Sequence, residues 1–133
     1  MTRRVERELL FSIIYELSFF DKEEYGDQFL KEKDFREIDS DYVEKCVHGI
    51  ILYSENINDY ISGSSKGWKI SRLSKITLSI LQVAVYEMIF EKLAYTIAIN
   101  EAVELAKKYD DDKAPAFVNG VLNNIALAAG LKE

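Results

Sequence analysis

Residues 97–125 limit the fold most strongly, because their pattern indicates two helices joined by a short acidic loop. Apolar side chains in the first half recur at the spacing of one helical face. They are Ile99, Ala102, Val103, Ala106 and Tyr109. Glu104 and Lys108, four residues apart, are placed to pair on the surface of that helix. The aspartates at 110–112 would be unfavourable at its negative end and mark the connection. Pro115 suits the first turn of the next helix, where its missing N–H has no partner to lose.

The rest of the chain has the same helical periodicity, and no alternating pattern is long enough to predict a strand. Helices are expected over 3–20, 21–33, about 41–61, 76–90, 97–109 and from Pro115 onward, with a polar connection at 34–39. Asp39, Ser40 or Asp41 can cap the third of these helices. The sequence therefore predicts an all-α fold of about seven helices in two small packed bundles.

The only Gly/Ser-rich stretch, residues 63–67, is the natural boundary between the two bundles. We expect a single domain over residues 1–133, with an N-terminal lobe of about 1–63 and a C-terminal lobe of about 67–133. The last helix should bury one stripe of its surface in the second lobe. That stripe consists of Val118, Val121, Leu122 and Ile125.

Composition narrows the possible functions of this 133-residue chain. Cys46 is the only cysteine and His48 the only histidine, so neither a disulfide nor a Cys/His zinc site is expected, and both read as packing residues. No phosphate loop, Ser-His-Asp set or HExxH motif is present, so the sequence predicts no catalytic residue, metal or cofactor. No apolar run approaches the roughly 20 residues of a membrane span, and the N-terminus is a poor signal peptide. We therefore expect a cytoplasmic protein that does not enter a membrane.

The first helix carries a candidate nucleic-acid surface. At steps of four residues, one face holds Arg3, Arg7, Phe11 and Tyr15, with Arg4 beside Arg7. Arginines can neutralise phosphates and aromatic rings can stack on bases. In the alternative interpretation, the two aromatic residues belong to the core and the arginines are merely solvated. A net charge of −6 argues against a strong general nucleic-acid binder but allows a small basic patch.

Phe117 is a second candidate, because it falls at the edge of the buried face of the last helix, beside Gly120 and Asn124. An aromatic ring at such a margin can stack on an unpaired base, which is worth about 1–3 kcal/mol. Alternatively, the ring closes the core near Pro115. The pattern alone leaves both interpretations open.

Two motifs carry a specific resemblance. They are AINEAVELAK at residues 98–107 and FVNGVL at residues 117–122. In this order, one short loop apart, they resemble the paired signature of the NusB family of bacterial transcription antitermination factors. Weaker similarity extends over nearly the whole chain. It includes Arg3, Arg4, Arg7, Glu8 and Tyr15 in an arginine-rich segment, Trp68 with Arg72 and Leu73, and Ala84, Tyr86 and Glu87 in an Ala-x-Tyr-Glu motif.

The resemblance implies a factor that makes and breaks no covalent bond. It would bind a boxA-type single-stranded RNA element of ribosomal RNA transcripts, together with the ribosomal protein NusE, in the transcription elongation complex. The resemblance also implies that Arg3, Arg4 and Arg7 contact phosphates, and that Tyr15 and Phe117 lie at the RNA-facing surface. Trp68 is expected to be a packing anchor.

Several positions depart from the family pattern and thin its basic surface. Val5 and Glu6 stand where the family often has Arg and Ala. Leu78 and Gln82 replace basic residues, and Thr77 replaces an acidic one. The chain alone is therefore expected to bind RNA weakly. Two other functions stay open: an RNA-binding module of the type fused to ribosomal RNA cytosine methyltransferases, and a helical homodimer that acts without RNA.

Overall fold

The computed structural model describes residues 1–20, 22–65, 67 and 69–133, with the backbone alone for 22–25. These residues form eight α-helices, one short 3₁₀ helix and no strand. The α-helices are α1 (Arg3–Leu17), α2 (Lys22–Glu32), α3 (Phe35–Ile38), α4 (Asp41–Leu52), α5 (Ser54–Ser64), α6 (Lys75–Ile89), α7 (Tyr95–Tyr109) and α8 (Ala114–Ala128). The 3₁₀ helix is Ile70–Arg72. The all-α prediction is confirmed, with one helix more than expected, whereas the packing predicted for Trp68 lies outside the described residues.

The central element is α6, which packs against α1, α4, α5, α7 and α8. Every residue from Ser79 to Met88 on this helix is buried. Apolar side chains occur on every side of α6, and a helix of this kind must be enclosed by other helices. Against one flank of α6, the long helices α7 and α8 pack on each other, and the stripe predicted for α8 is fully buried.

The stretch predicted as one helix to about residue 61 is two helices, α4 and α5, separated at Tyr53. Tyr53 has φ −102° and ψ 19°, outside the α-helical region. Its ring stacks on Phe90, which follows α6, with ring centroids 4.3 Å apart. Leu52 beside it is exposed. The local sequence allows a continuous helix. We infer that the stacking of Tyr53 on the distant Phe90 stabilises the separation into two helices.

The predicted polar connection at 34–39 contains the one-turn helix α3. The Asp34 side chain accepts a hydrogen bond from the Arg36 N–H at 3.0 Å, and Asp39 ends the turn with φ +52°. Ser40 then caps α4 by accepting from the Val43 N–H at 3.1 Å. The expectation of a cap at this point is confirmed, and Ser40 is the residue that provides it.

Gly49 allows α4 to approach α6 closely. A Cβ atom added at Gly49 would lie 2.3 Å from the hydroxyl oxygen of Tyr86, so a larger residue there would have to displace the Tyr86 ring. The Tyr86 hydroxyl donates to Glu91 at 3.0 Å, and its ring stacks on Phe90 at 5.7 Å between centroids. Burial, followed by the bond to Glu91, raises the pKa of Tyr86.

The Gly/Ser-rich stretch ends α5 at Ser64, and Gly67 has φ +82°, a backbone conformation that favours glycine. The division into lobes remains a prediction, because α6 packs against helices from both sides of this stretch. Among the described residues, no helix has both the length and the apolar character that crossing a membrane requires.

Candidate nucleic-acid interface

Two of the three candidate arginines are exposed where α1 begins. Thr2 caps the helix by accepting from the Val5 N–H at 3.2 Å. The Arg3 and Arg4 side chains are 53% and 68% exposed. Arg3 lies over the Tyr42 ring, with its guanidinium carbon 3.5 Å from the centroid. Arg4 donates to Glu101 of α7 at 2.9 and 3.2 Å. Both cations stand beside the positive end of the helix, where an anion is favoured.

Arg7 is placed differently, since its side chain is only 7% exposed. It donates to both carboxylate oxygens of Glu87 on α6, at 2.6 and 2.9 Å. Burial lowers the pKa of Arg7, but the bonds and charge of Glu87 outweigh it and leave the pKa above its ordinary value. This bidentate pair satisfies the buried charge. A phosphate-binding role for Arg7 remains a prediction, and the observed geometry gives it a positioning role instead.

Tyr42 connects the exposed and the buried arginines. Its hydroxyl donates to Glu87, while its ring lies under Arg3. Burial and the bond to Glu87 raise the pKa of Tyr42, so this hydroxyl stays protonated. Glu87 thus accepts from residues of α1 and α4, and this cluster sets how α1 sits on the core. Cys46, on the same helix as Tyr42, is buried, which raises the pKa of its thiol to about 12.

Pairs of opposite charge also cross the contact between α1 and α7. Lys108 donates to Glu8 at 2.7 Å, and the Tyr109 hydroxyl donates to the same carboxylate. The bonds from Lys108 and then Tyr109 lower the pKa of Glu8. The predicted pair of Glu104 with Lys108 is wrong, because Glu104 pairs with Lys107 at 3.4 Å. Tyr109, predicted to be buried, is 40% exposed and faces α1.

Tyr15 lies in the middle of a row of rings along α1. Phe11 is buried, Tyr15 is half-buried and Phe19 is exposed. Ring centroids are 6.4 Å apart between Phe11 and Tyr15, and 5.2 Å apart between Tyr15 and Phe19. Phe11 also meets Tyr109 at 5.3 Å. Phe11 therefore belongs to the core, as the alternative interpretation holds, whereas Tyr15 keeps part of its ring at the surface.

Phe117 lies on α8, half-buried, at a surface cavity of about 440 Å³ between α5 and α8. The described lining of this cavity includes no residue of α1. Arg3, Arg4 and Tyr15 thus lie along α1, whereas Phe117 lies on α8 at a cavity whose described lining comes from α5, Ser65 and α8. Of the described residues, no group of His, Cys, Asp or Glu side chains is arranged to hold a metal ion. His48 is exposed, with its ring 5.8 Å from that of Phe35.

The profile of the NusB family matches residues 4–127. The chain belongs to the NusB family. It is 41% identical to the transcription antitermination protein NusB of Acetivibrio thermocellus over 128 residues, covering 94% of this chain and 88% of that protein. It is 42% identical to the same-named protein of Clostridium novyi over 137 residues, covering 96% of this chain and 100% of that protein.

Solved structures of NusB proteins have the same fold. T. maritima NusB aligns with a TM-score of 0.78 at 30% identity, over 96% of this chain and 92% of that one. A chain from a complex of the antitermination factors NusB and NusE with dsRNA aligns with a TM-score of 0.73 at 29% identity, over 96% and 99%. The resemblance identified from the two motifs is thus confirmed over nearly the full length of the chain.

Sequence reasoning missed the partners that fix the NusB-family arginine segment, namely Glu87, Tyr42 and Glu101. One signal was available, because Glu87 is a carboxylate in the middle of an apolar helix, and buried carboxylates are almost always paired. The departures from the family pattern on α6 are also accommodated. The Thr77 hydroxyl donates to Asp110 at 2.5 Å, and the buried Gln82 amide donates to Asn58 at 3.0 Å.

Proposed function

We propose that this protein is a transcription antitermination factor that binds a boxA-type RNA element jointly with the ribosomal protein NusE. It would act in the cytoplasm on the elongating RNA polymerase and would make or break no covalent bond. The observation that carries this proposal is the likeness, over 96% of the chain, to a NusB protein solved with NusE and dsRNA. Family membership over residues 4–127 supports it.

The geometry of α1 supports an RNA surface with fewer cations than the sequence suggests. Arg3 and Arg4 are exposed and can reach phosphates, and Tyr15 offers part of a ring to a base. Arg7 is bound to Glu87 and holds α1 in place. Arg4 must leave or share Glu101 to contact a phosphate, which reduces the gain from that contact. The isolated protein should therefore bind RNA weakly.

A basic partner would correct this weakness by adding positive charge to the same surface. The chain has a net charge of −6, so long-range attraction for RNA is poor without such a partner. If NusE and RNA share one continuous site, each must strengthen binding of the other by the same factor, because coupling free energies are reciprocal. A coupling of about 1–3 kcal/mol corresponds to roughly 5- to 150-fold.

The test measures the affinity of a labelled boxA-type single-stranded RNA for the protein alone and with saturating NusE, at one salt concentration. We expect NusE to tighten RNA binding at least about fivefold, and RNA to tighten NusE binding equally. An RNA of scrambled sequence controls for non-specific attraction, and the same sequence as a duplex tests the preference for a single strand.

Equal affinities with and without NusE would contradict the cooperative mechanism. If the protein binds RNA but does not bind NusE, the result would favour an RNA-binding module that acts with another protein partner. Sedimentation analysis of the protein at the same concentrations distinguishes a homodimer that binds neither.

A further inference from the structure

A cleft of about 350 Å³ lies between α1 and α7, beside the exposed start of α1. Glu101, from the AINEAVELAK motif on α7, lines this cleft. Its side chain is only 15% exposed, whereas that of Glu104, three residues further along the same helix and lining the same cleft, is 49% exposed. The Glu101 carboxylate is therefore largely enclosed by the cleft, and the Glu104 carboxylate extends into solvent.

Glu101 binds Arg4 in the way that a phosphate would. Arg4 donates from Nε to one carboxylate oxygen at 3.2 Å and from Nη2 to the other at 2.9 Å. A guanidinium uses the same fork of two N–H groups for carboxylates and for phosphates. The bond and then the charge of Glu101 also raise the pKa of Arg4. A phosphate that approaches this edge of Arg4 must therefore take the place of Glu101.

The structure also favours an exchange of partners at Arg4. The Arg4 side chain is 68% exposed, so it can turn from the cleft towards a bound strand. Glu101 would then keep a cation nearby, because Nη1 of Arg7 lies 3.9 Å from its carboxylate. Arg7 itself stays in place, since Glu87 binds it through two hydrogen bonds. Release of Arg4 thus leaves no isolated charge in the cleft.

We propose that Glu101 is an internal competitor of RNA, which holds Arg4 in the free protein and is displaced from it by a phosphate when RNA binds. This inference rests on the proposed RNA-binding function and gives Glu101 a role opposite to that of the arginines. Phosphate contacts carry no sequence information, so Glu101 lowers the affinity for every RNA by the same factor. Stable binding is then limited to RNAs that further contacts hold, including those from a protein partner.

The test substitution is Glu101→Gln, which removes the negative charge but keeps the size of the side chain and one acceptor oxygen. The measurement is the affinity of a labelled boxA-type single-stranded RNA for the full chain with saturating NusE, at one salt concentration. We expect Glu101→Gln to tighten binding by about two- to fivefold, the factor that corresponds to an exposed ion pair. An RNA of scrambled sequence should gain by the same factor.

Glu104→Gln is the matched control. It changes the net charge by the same amount, on the same helix and in the same cleft, but Glu104 pairs with Lys107 at 3.4 Å. Its effect on RNA affinity should be clearly smaller than that of Glu101→Gln. Equal gains in the two variants would overturn the inference, because the gain would then come from net charge alone.

A double-mutant cycle shows whether the gain acts through Arg4. In an Arg4→Ala background, Glu101→Gln should no longer tighten RNA binding, because no cation is left to release. For the same reason, Arg4→Ala should weaken binding more in the Glu101→Gln protein than in the unmodified protein. A gain that persists without Arg4 would contradict the inference.

Glu101→Asp provides a second variant, which keeps the charge but withdraws the carboxylate from Arg4 by one methylene. Its gain should be smaller than that of Glu101→Gln, and thermal midpoints near that of the unmodified chain would show that both variants are folded. If both variants bind RNA no better than the unmodified protein, or more weakly, Glu101 orients Arg4 for RNA and the inference fails, with the proposed function intact. If no variant binds RNA even with NusE, the proposed function fails as well.

Discussion

Arg4 and Arg7 lie one turn apart on α1 and both approach Glu101, yet their environments are opposite. Arg4 is 68% exposed, and its bonds to Glu101 lie at the surface. Arg7 is 7% exposed and forms a bidentate pair with Glu87, with Glu101 3.9 Å away. The helix face decides the difference, because Arg7 belongs to the buried stripe of α1, one turn before Leu10, and faces α6, whereas Arg4 lies at the exposed start of the helix. An arginine-rich motif therefore mixes residues that contact solvent with residues that hold the helix in place.

The largest expected effect is on stability. Arg7→Ala leaves the buried Glu87 carboxylate without its cation and should lower the free energy of unfolding by about 3–5 kcal/mol. Arg4→Ala breaks an exposed, solvent-screened pair and should cost far less stability than Arg7→Ala. Urea denaturation at neutral pH measures both changes. If the two variants lose equal stability, the distinction between the arginines fails.

A double-mutant cycle sharpens this prediction. Arg7→Ala combined with Glu87→Ala should lose less stability than the sum of the single losses, because the second substitution removes the carboxylate that the first leaves unpaired. The same cycle on Arg4 and Glu101 should give a coupling near the small value of an exposed pair.

The next effect concerns the salt dependence of RNA binding. Each phosphate contact to a single strand contributes about −0.7 to the slope of log affinity against log salt. Replacing both Arg3 and Arg4 with Ala should therefore make the slope shallower by about 1.4. The matched variant combines Arg7→Met with Glu87→Met, which removes a buried pair of opposite charges, and its slope should equal that of the unmodified protein. A shallower slope in the matched variant would show that Arg7 also contacts a phosphate.

The smallest effect is the pH dependence of the pairs between α1 and α7. Because Lys108 and Tyr109 lower the pKa of Glu8, this carboxylate stabilises the fold above its unfolded pKa of about 4.3, and the contribution disappears as pH falls through the lower folded value. Glu8→Gln should cost less than about 1 kcal/mol at pH 7 and approach zero cost in acid. Denaturation across this range checks it, with Glu37→Gln, at an exposed position, as the control. A cost that persists in acid would attribute the effect to packing.

Helical periodicity predicted the fold class and most helix positions, because burial of one face leaves a direct trace in the sequence. It did not predict the break at Tyr53, since the contact of that ring with Phe90 joins residues far apart in the chain. The family signature was readable from two short motifs. The burial of Arg7 was not, because it depends on which residue of α6 faces that side of α1. The partner of Lys108 was also missed. Sequence spacing pointed to a neighbour on the same helix, whereas the actual partner, Glu8, lies on a helix that only the fold brings close.

The absence of a side chain at Gly49 affects the break between α4 and α5 at Tyr53. The place left by its missing side chain seats the Tyr86 ring, which stacks on Phe90, which in turn stacks on Tyr53 at the break. The three rings thus form a stack, and the stack depends on the absence of a side chain at Gly49. Any side chain at residue 49 would displace the Tyr86 ring, and the stacking that stabilises the separation of α4 and α5 at Tyr53 would be lost with it. A smaller residue at position 86 of α6 would make room for a side chain at residue 49, whereas no change on α4 itself would do so.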